Sequence, residues 1–274
     1  MTATPPTDRW IEHAQGRLFA RRWQGSDAQA APLLLFHDSL GAVELWRDFP
    51  AALAEATGRS VVAYDRLGFG RSDARSGLPP LDFVVDESRS YLDALLTQLG
   101  ITRFVALGHS VGGGMAIETA VQRPEACEAL IVIAAQIFPE AHTLDGIRAA
   151  APHVRSPEQV QKLARYHGDK AEWVLSAWID RWLDPAFATW TLKARLPQVR
   201  CPMLALYGSK DEYCSAMHGQ LIWQQTAGRA TVQTLDGLGH VPHREDLGQV
   251  TGLIADFLRI SLSPPHTDSR VTTR

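Results

Sequence analysis

Apolar residues gather in short, nearly unbroken runs at 32–36, 59–64, 103–107 and 129–134, and longer stretches with helical spacing lie between them. A run with no polar alternation reads as a strand covered on both faces. The helix-length segments are 43–56, 83–99 and 111–122; the second carries Tyr91, Leu92, Leu95, Leu96 and Leu99 on one stripe. Two more strands, 202–207 and 230–235, and two more helices, 217–226 and 247–260, continue the rhythm. Strand and helix in alternation predict an α/β fold with a mostly parallel central sheet flanked by helices. The alternation at Leu18, Ala20 and Arg22 predicts an early antiparallel strand at the sheet edge.

The stretch 136–198 breaks this rhythm. It has no convincing strand, several helical patterns and four of the eight tryptophans: Trp173, Trp178, Trp182 and Trp190. It reads as an inserted helical cap between two parts of one core domain, 1–135 and 199–262. Trp178 and Trp182 are four residues apart and share a helix face with Val174. They are candidates for lining a substrate pocket, though aromatic rings in such a segment are more often packing. The ends, 1–8 and 261–274, are rich in Pro, Thr, Ser and Asp and are expected to lack fixed structure, 263–274 as a flexible tail.

Composition narrows the function classes. With 45% hydrophobic residues, 27 basic against 30 acidic side chains and a net charge of −3, the chain can bury a core. It has no basic stripe for nucleic acid. The longest apolar run, 129–135, is too short to cross a bilayer, and the first residues lack a signal core, so a cytoplasmic protein is expected. Cys127, Cys201 and Cys214 are widely spaced and suggest neither a disulfide framework nor a zinc site. No cofactor is expected.

Chemistry enters where the strand at 103–107 runs into Gly108-His109-Ser110-Val111-Gly112 and then a helix. Ser110 on a sharp strand-to-helix turn needs neighbours without side chains, and the turn lifts its hydroxyl above the sheet. The bland alternative is a glycine-rich turn with an incidental serine. Over residues 33–257 the chain resembles the α/β-hydrolase superfamily, in its branch of carboxylesterases and enol-lactonases with a helical cap. Its His37-Asp38-Ser39-Leu40-Gly41 is similar to the family's His-Gly oxyanion loop and to the Asn-Ser-Leu-Gly loop of 3-oxoadipate enol-lactonases. Its Asp65-Arg66-Leu67-Gly68-Phe69-Gly70-Arg71-Ser72 is similar to the family's D-x-x-G-x-G-x-S turn, read here as structural.

A serine hydroxyl needs a base, and the base an orienting carboxylate. Asp211 follows the strand at 202–207 and His240 the strand at 230–235, giving the superfamily order Ser110, Asp211, His240. Glu212 and Asp236 compete for the acid role, Asp236 being too close in sequence to His240 to reach around its ring comfortably. The resemblance implies an oxyanion hole from the N–H groups of Ser39 and Val111. Asp38 stands where the family usually has Gly, so its carboxylate is expected to point away or to be paired. His37 and His109 are expected to be structural, and His153, His167 and His243 to lie on the surface. No histidine pair has metal-ligand spacing, so no metal is expected.

Together these features predict a serine hydrolase that cleaves a small to medium carboxylic ester with an apolar or aromatic group through an acyl-enzyme. A lactonase or thioesterase would use the same three residues. A carbon–carbon bond hydrolase is disfavoured by His240-Val241-Pro242-His243, which lacks the aromatic residue such enzymes often carry there. A non-catalytic binder would have no need of all three residues. The expected partner is a small acyl substrate, with the chain a monomer or homodimer.

Overall fold

In the computed structural model, which describes residues 5–262, the apolar runs become the middle of an eight-stranded sheet. Its strands are β1 (Thr7–Ile11), β2 (Leu18–Trp23), β3 (Leu33–Phe36), β4 (Val61–Tyr64), β5 (Phe104–His109), β6 (Cys127–Ile133), β7 (Met203–Gly208) and β8 (Ala230–Leu235). Their spatial order is β1-β2-β4-β3-β5-β6-β7-β8. β2 is antiparallel to both β1 and β4, and every other pairing is parallel. All residues of β3, β4, β5 and β7 are buried, which is why these strands show no polar alternation. The chain steps outward from β3 to β4 and then returns to β5 on the other side of β3. That reversal opens a crevice at the carboxyl ends of β3 and β5, where sheets of this kind hold their ligands.

The helices are α1 (Phe49–Thr57), α2 (Phe83–Asp86), α3 (Leu92–Leu99), α4 (Val111–Gln122), α5 (Ala141–Val154), α6 (Pro157–His167), α7 (Ala171–Trp182), α8 (Ala216–Gln225), α9 (Pro242–Glu245) and α10 (Leu247–Ser261). A π-helical turn, Glu87–Tyr91, joins α2 to α3, so the segment 83–99 winds without a break. The expected helix 43–56 is instead divided into a 3-10 turn, Val43–Trp46, and α1. Arg47 sits at φ 53°, and Pro50, which has no N–H to give, takes a first-turn position of the new helix. Between β6 and β7 the described residues form helices and turns and no strand. No helix among the described residues is long and apolar enough to cross a membrane.

Two expectations need correction. Thr7 and Asp8, read as tail, belong to β1, and Ser261, also read as tail, is the last residue of α10. Four of the five β1 residues are exposed, so no apolar run marks the strand; pairing with β2 and the ion pairs of Asp8 with Arg21 (2.6 Å) and Arg71 (3.0 Å) hold it. Residues 1–4 and 263–274 lie outside the described residues, so the expectation of a flexible tail falls there.

His167 and His243, read as surface residues, are buried, while His153 is exposed. His167 ends α6 between two core loops: its Nδ1 accepts from the Gly70 N–H at 2.8 Å, and its Nε2 lies 3.1 Å from the Leu40 carbonyl. An accepting Nδ1 fixes the neutral ring with its proton on Nε2, donated to Leu40. Burial drives its pKa down to about 4, and the unfolded chain binds the proton at about 6.5. The stability this gives is complete above pH 6.5 and is lost as pH falls toward 4. Between pH 7 and pH 5 the loss from His167 is about 2 kcal/mol. Chemical denaturation at the two pH values should therefore show a smaller drop for His167→Gln than for the parent; equal drops would deny His167 this role.

Candidate active site

The turn after β5 is built by contact. A Cβ on Gly108 would stand 2.1 Å from the Gly112 carbonyl oxygen, and one on Gly112 would stand 2.1 Å from the Phe36 carbonyl oxygen. Glycine at both positions lets α4 start against the ends of β3 and β5. Ser110 occupies the point of the turn at φ 55°, ψ −126°, a backbone conformation costly for a residue with a Cβ. The register of β3 with β5 sets Phe36 beside Gly108, so the loop after β3 arrives next to the serine.

The turns after β7 and β8 complete a row of three polar groups. His240 Nε2 is 3.0 Å from Ser110 Oγ, and His240 Nδ1 is 2.9 and 3.0 Å from the two oxygens of Asp211. The N–H groups of Tyr213 and Cys214 donate to Asp211 Oδ1 at 2.8 and 2.9 Å. Burial pushes the Asp211 carboxyl up, but His240 and these two N–H groups outweigh it and hold the group below its ordinary value. Glu212 is exposed, and Asp236 accepts instead from Ser209 Oγ, so neither competes for His240. An ionised carboxylate, an imidazole and a hydroxyl in this row can carry the hydroxyl proton to the ring and stabilise the cation that results.

Ser39 and Val111 both line a small recess with Phe69, Phe83 and Trp182, and neither N–H donates to the protein among the described residues. For Val111 this follows from its place as first residue of α4. Asp38 is paired. Its Oδ1 accepts from the Leu40 N–H at 2.8 Å, and its Oδ2 lies 3.2 Å from His109 Nδ1. Burial pushes its carboxyl up; His109, then Arg244, dominate and hold it well below the usual range. His109 also approaches the His240 carbonyl through Nε2 at 2.8 Å, so it links the oxyanion-side loop to the base-bearing loop. His37 is tied to backbone, its Nε2 accepting from the Arg66 N–H at 3.1 Å.

A cavity of about 350 Å³ opens over Ser110. The segment between β6 and β7 supplies its apolar wall through Ile147, Leu163, Leu175, Trp178 and Trp182. Trp173 and Trp190 do not reach it: Trp173 donates to the Gly77 carbonyl and Trp190 stacks on Phe187. Sequence reasoning missed Gln136, whose Oε1 lies 3.4 Å from Ser110 Oγ, and also Tyr213, Lys162 and Arg244 in the wall. Gln136 stood just beyond the carboxyl end of β6, the position that pointed to the other site residues.

Among the described residues, Asp211, Cys214 and His240 bring potential metal-ligand atoms within 4.8 Å of one another. Asp211 and His240 bind each other there. The Cys214 thiol donates to the Ala134 carbonyl, and burial pushes its pKa well up, away from the thiolate a metal needs.

A family model described as the alpha/beta hydrolase fold matches residues 31–168. A putative carbamate hydrolase, RutD, of Pseudomonas savastanoi pv. phaseolicola is 36% identical over 41% of this chain and 42% of its own length. The sn-1-specific diacylglycerol lipase ABHD11 of Mus musculus is 27% identical over 85% of this chain and 82% of its own. The solved structure of a membrane phospholipase A, a bacterial virulence factor, superimposes with a TM-score of 0.77 at 21% identity, covering 94% of this chain and 87% of that one. With half of its length under the family model and its sheet in the matching arrangement, the chain belongs to the alpha/beta hydrolase fold family.

Proposed function

We propose that this hydrolase cleaves carboxylic esters by a serine mechanism, and the row Ser110–His240–Asp211 carries the reading. Ser110 Oγ attacks the ester carbonyl while its proton passes to His240 Nε2. The negative charge on the carbonyl oxygen is met by the N–H groups of Ser39 and Val111. As the C–O bond breaks, His240 returns the proton to the leaving alcohol, and the acyl group stays on Ser110. Water then gives a proton to His240 and attacks the acyl carbon; Oγ leaves, regains the proton, and the acid is released. Asp211 orients the ring and stabilises its charged form. The named activities of the two curated relatives, a carbamate hydrolase and a diacylglycerol lipase, both break a carbonyl carbon–heteroatom bond and support the same bond class here.

In this reading the helices between β6 and β7 are a cap that sizes the acyl group. The test is a p-nitrophenyl ester series, acetate through laurate plus one aryl ester, together with a serine-directed phosphonate. Turnover with a chain-length optimum and a phosphonate adduct on Ser110 are expected. Folded protein inert to both would overturn the reading. Trp178 is half-buried, with its ring 6.2 Å from Tyr213, and it lines the cavity. Trp178→Ala should raise the decanoate-to-butyrate ratio of kcat/KM roughly tenfold with little change in melting temperature, since a few methylenes of pocket space discriminate by that order. An unchanged ratio would return Trp178 to a packing role.

A further inference from the structure

The cavity wall is apolar on the side of Ile147, Leu163 and Leu175, but Arg244 of α9 and Lys162 of α6 also line it. Lys162 is paired with Glu158 one turn earlier at 2.7 Å. Among the described residues, no carboxylate lies within ion-pair distance of Arg244. One Nη2 donates to the Leu45 carbonyl at 2.5 Å, its Nε is enclosed without a partner, and Nη1 has no hydrogen bond to the protein among the described residues. The charges around it do not neutralise it. Asp38 favours its charged form most, but that carboxylate is beyond ion-pair distance and already holds the Leu40 N–H and His109, while Arg47 adds positive charge and Tyr166 contributes a phenol. Burial disfavours its charged form, as expected of a cation enclosed without an anion.

A half-buried guanidinium left unmatched in a substrate cavity is built to receive a planar anion, which it can grip through two N–H groups. We propose that Arg244, with Lys162 adding charge, forms a subsite for a carboxylate on the substrate, so that the preferred ester carries an anionic group on its acyl chain. This rests on the ester reading above. The carboxylate must lie at the Arg244 end of the cavity, because Asp38 repels a second anion near the oxyanion recess. The apolar wall then covers the methylenes between the carboxylate and the scissile carbonyl.

The test compares p-nitrophenyl hexanoate with mono-p-nitrophenyl adipate, which have acyl chains of equal length and differ in the terminal carboxylate. The parent protein should favour the adipate ester about tenfold or more in kcat/KM at low salt, and the preference should shrink as salt rises. Arg244→Met should lower that preference about tenfold, mainly through KM, and Arg244→Lys should restore part of it. A parent preference at or below unity, or one unchanged in Arg244→Met, overturns the subsite while Ser110-dependent turnover leaves the ester reading standing. Binding is read separately by titrating free adipate into Ser110→Ala and following tryptophan fluorescence, to which Trp178 and Trp182 contribute from the cavity wall. Saturation that weakens about tenfold on adding Arg244→Met supports the subsite even if no ester is cleaved; absence of saturation, with hexanoate turned over, overturns it. If Arg244→Met does not fold, Arg244→Lys and the salt dependence in the parent carry the same decision.

Discussion

Ser110→Ala is expected to lower kcat for p-nitrophenyl esters by on the order of 10⁴-fold or more, and Asp211→Asn by about 10⁴-fold, in protein that melts close to the parent. Ser110 contributes only one hydroxyl to the fold, with its Oγ 3.0 Å from His240 and 3.4 Å from Gln136, so losing it leaves no large void. Asp211→Asn keeps the shape but offers His240 Nδ1 an amide that can turn its NH₂ toward the ring, favouring the wrong tautomer. The side chain of Asp211 is fully buried, so no water replaces the lost charge. Because the two groups act on one proton transfer, the double variant should be little worse than Ser110→Ala alone. Retention of a tenth of the activity by Ser110→Ala would remove Ser110 from the role of nucleophile, and a double variant worse by the product of the single losses would separate the two residues.

The same buried row explains why so much of this site was legible in the chain. Two of the strands that carry it, β5 and β7, lie inside the sheet, so they appear as unbroken apolar runs and Ser110 and Asp211 follow them at once. β8 is an edge strand whose residues are mostly half-exposed, yet its C-terminal Leu235 is buried and His240 follows within one short turn. Legibility fails where burial comes from tertiary contact rather than periodicity. His167 sits among Arg165, Tyr166 and Asp169, and only the approach of Leu40 and Gly70 from distant loops encloses it. His243 is packed between Trp46, Phe49 and His109, which no local pattern announces. Arg244 has the same origin, since its partner carbonyl, Leu45, is 199 residues away. β1 fails for the opposite reason, being a real strand whose side chains mostly face water.

Asp38 shows how a departure from the usual loop can be accommodated. A carboxylate beside an oxyanion recess would oppose catalysis if free. Its two oxygens are engaged by the Leu40 N–H and His109, and His109 in turn reaches the His240 carbonyl. The charge is thereby engaged in joining the two loops that hold Ser39 and His240.

The largest expected loss of stability is at the start of α4. In Gly112→Ala the new methyl would stand 2.1 Å from the Phe36 carbonyl oxygen and 2.6 Å from that of His37, and no flexible side chain is there to yield. Phe36 is held in register with Gly108 across β3 and β5, and the buried His37 ring is tied to the Arg66 N–H, so neither carbonyl can withdraw cheaply. The helix must move away from β3, which costs about 3 kcal/mol or more and carries the Val111 N–H away from that of Ser39. Activity should fall by about 10²-fold even where the variant is folded, because displacements near 1 Å cost that much in a preorganised site. Gly252, in α10, is the contrast: a Cβ there meets nothing within 4 Å. Gly252→Ala should stabilise the protein by about 0.5–1 kcal/mol through helix propensity alone. Chemical denaturation of both variants, with kcat measured on the folded fraction, separates these effects. Gly112→Ala with stability and turnover like the parent would show that the close approach of α4 to β3 is not what holds the serine in place.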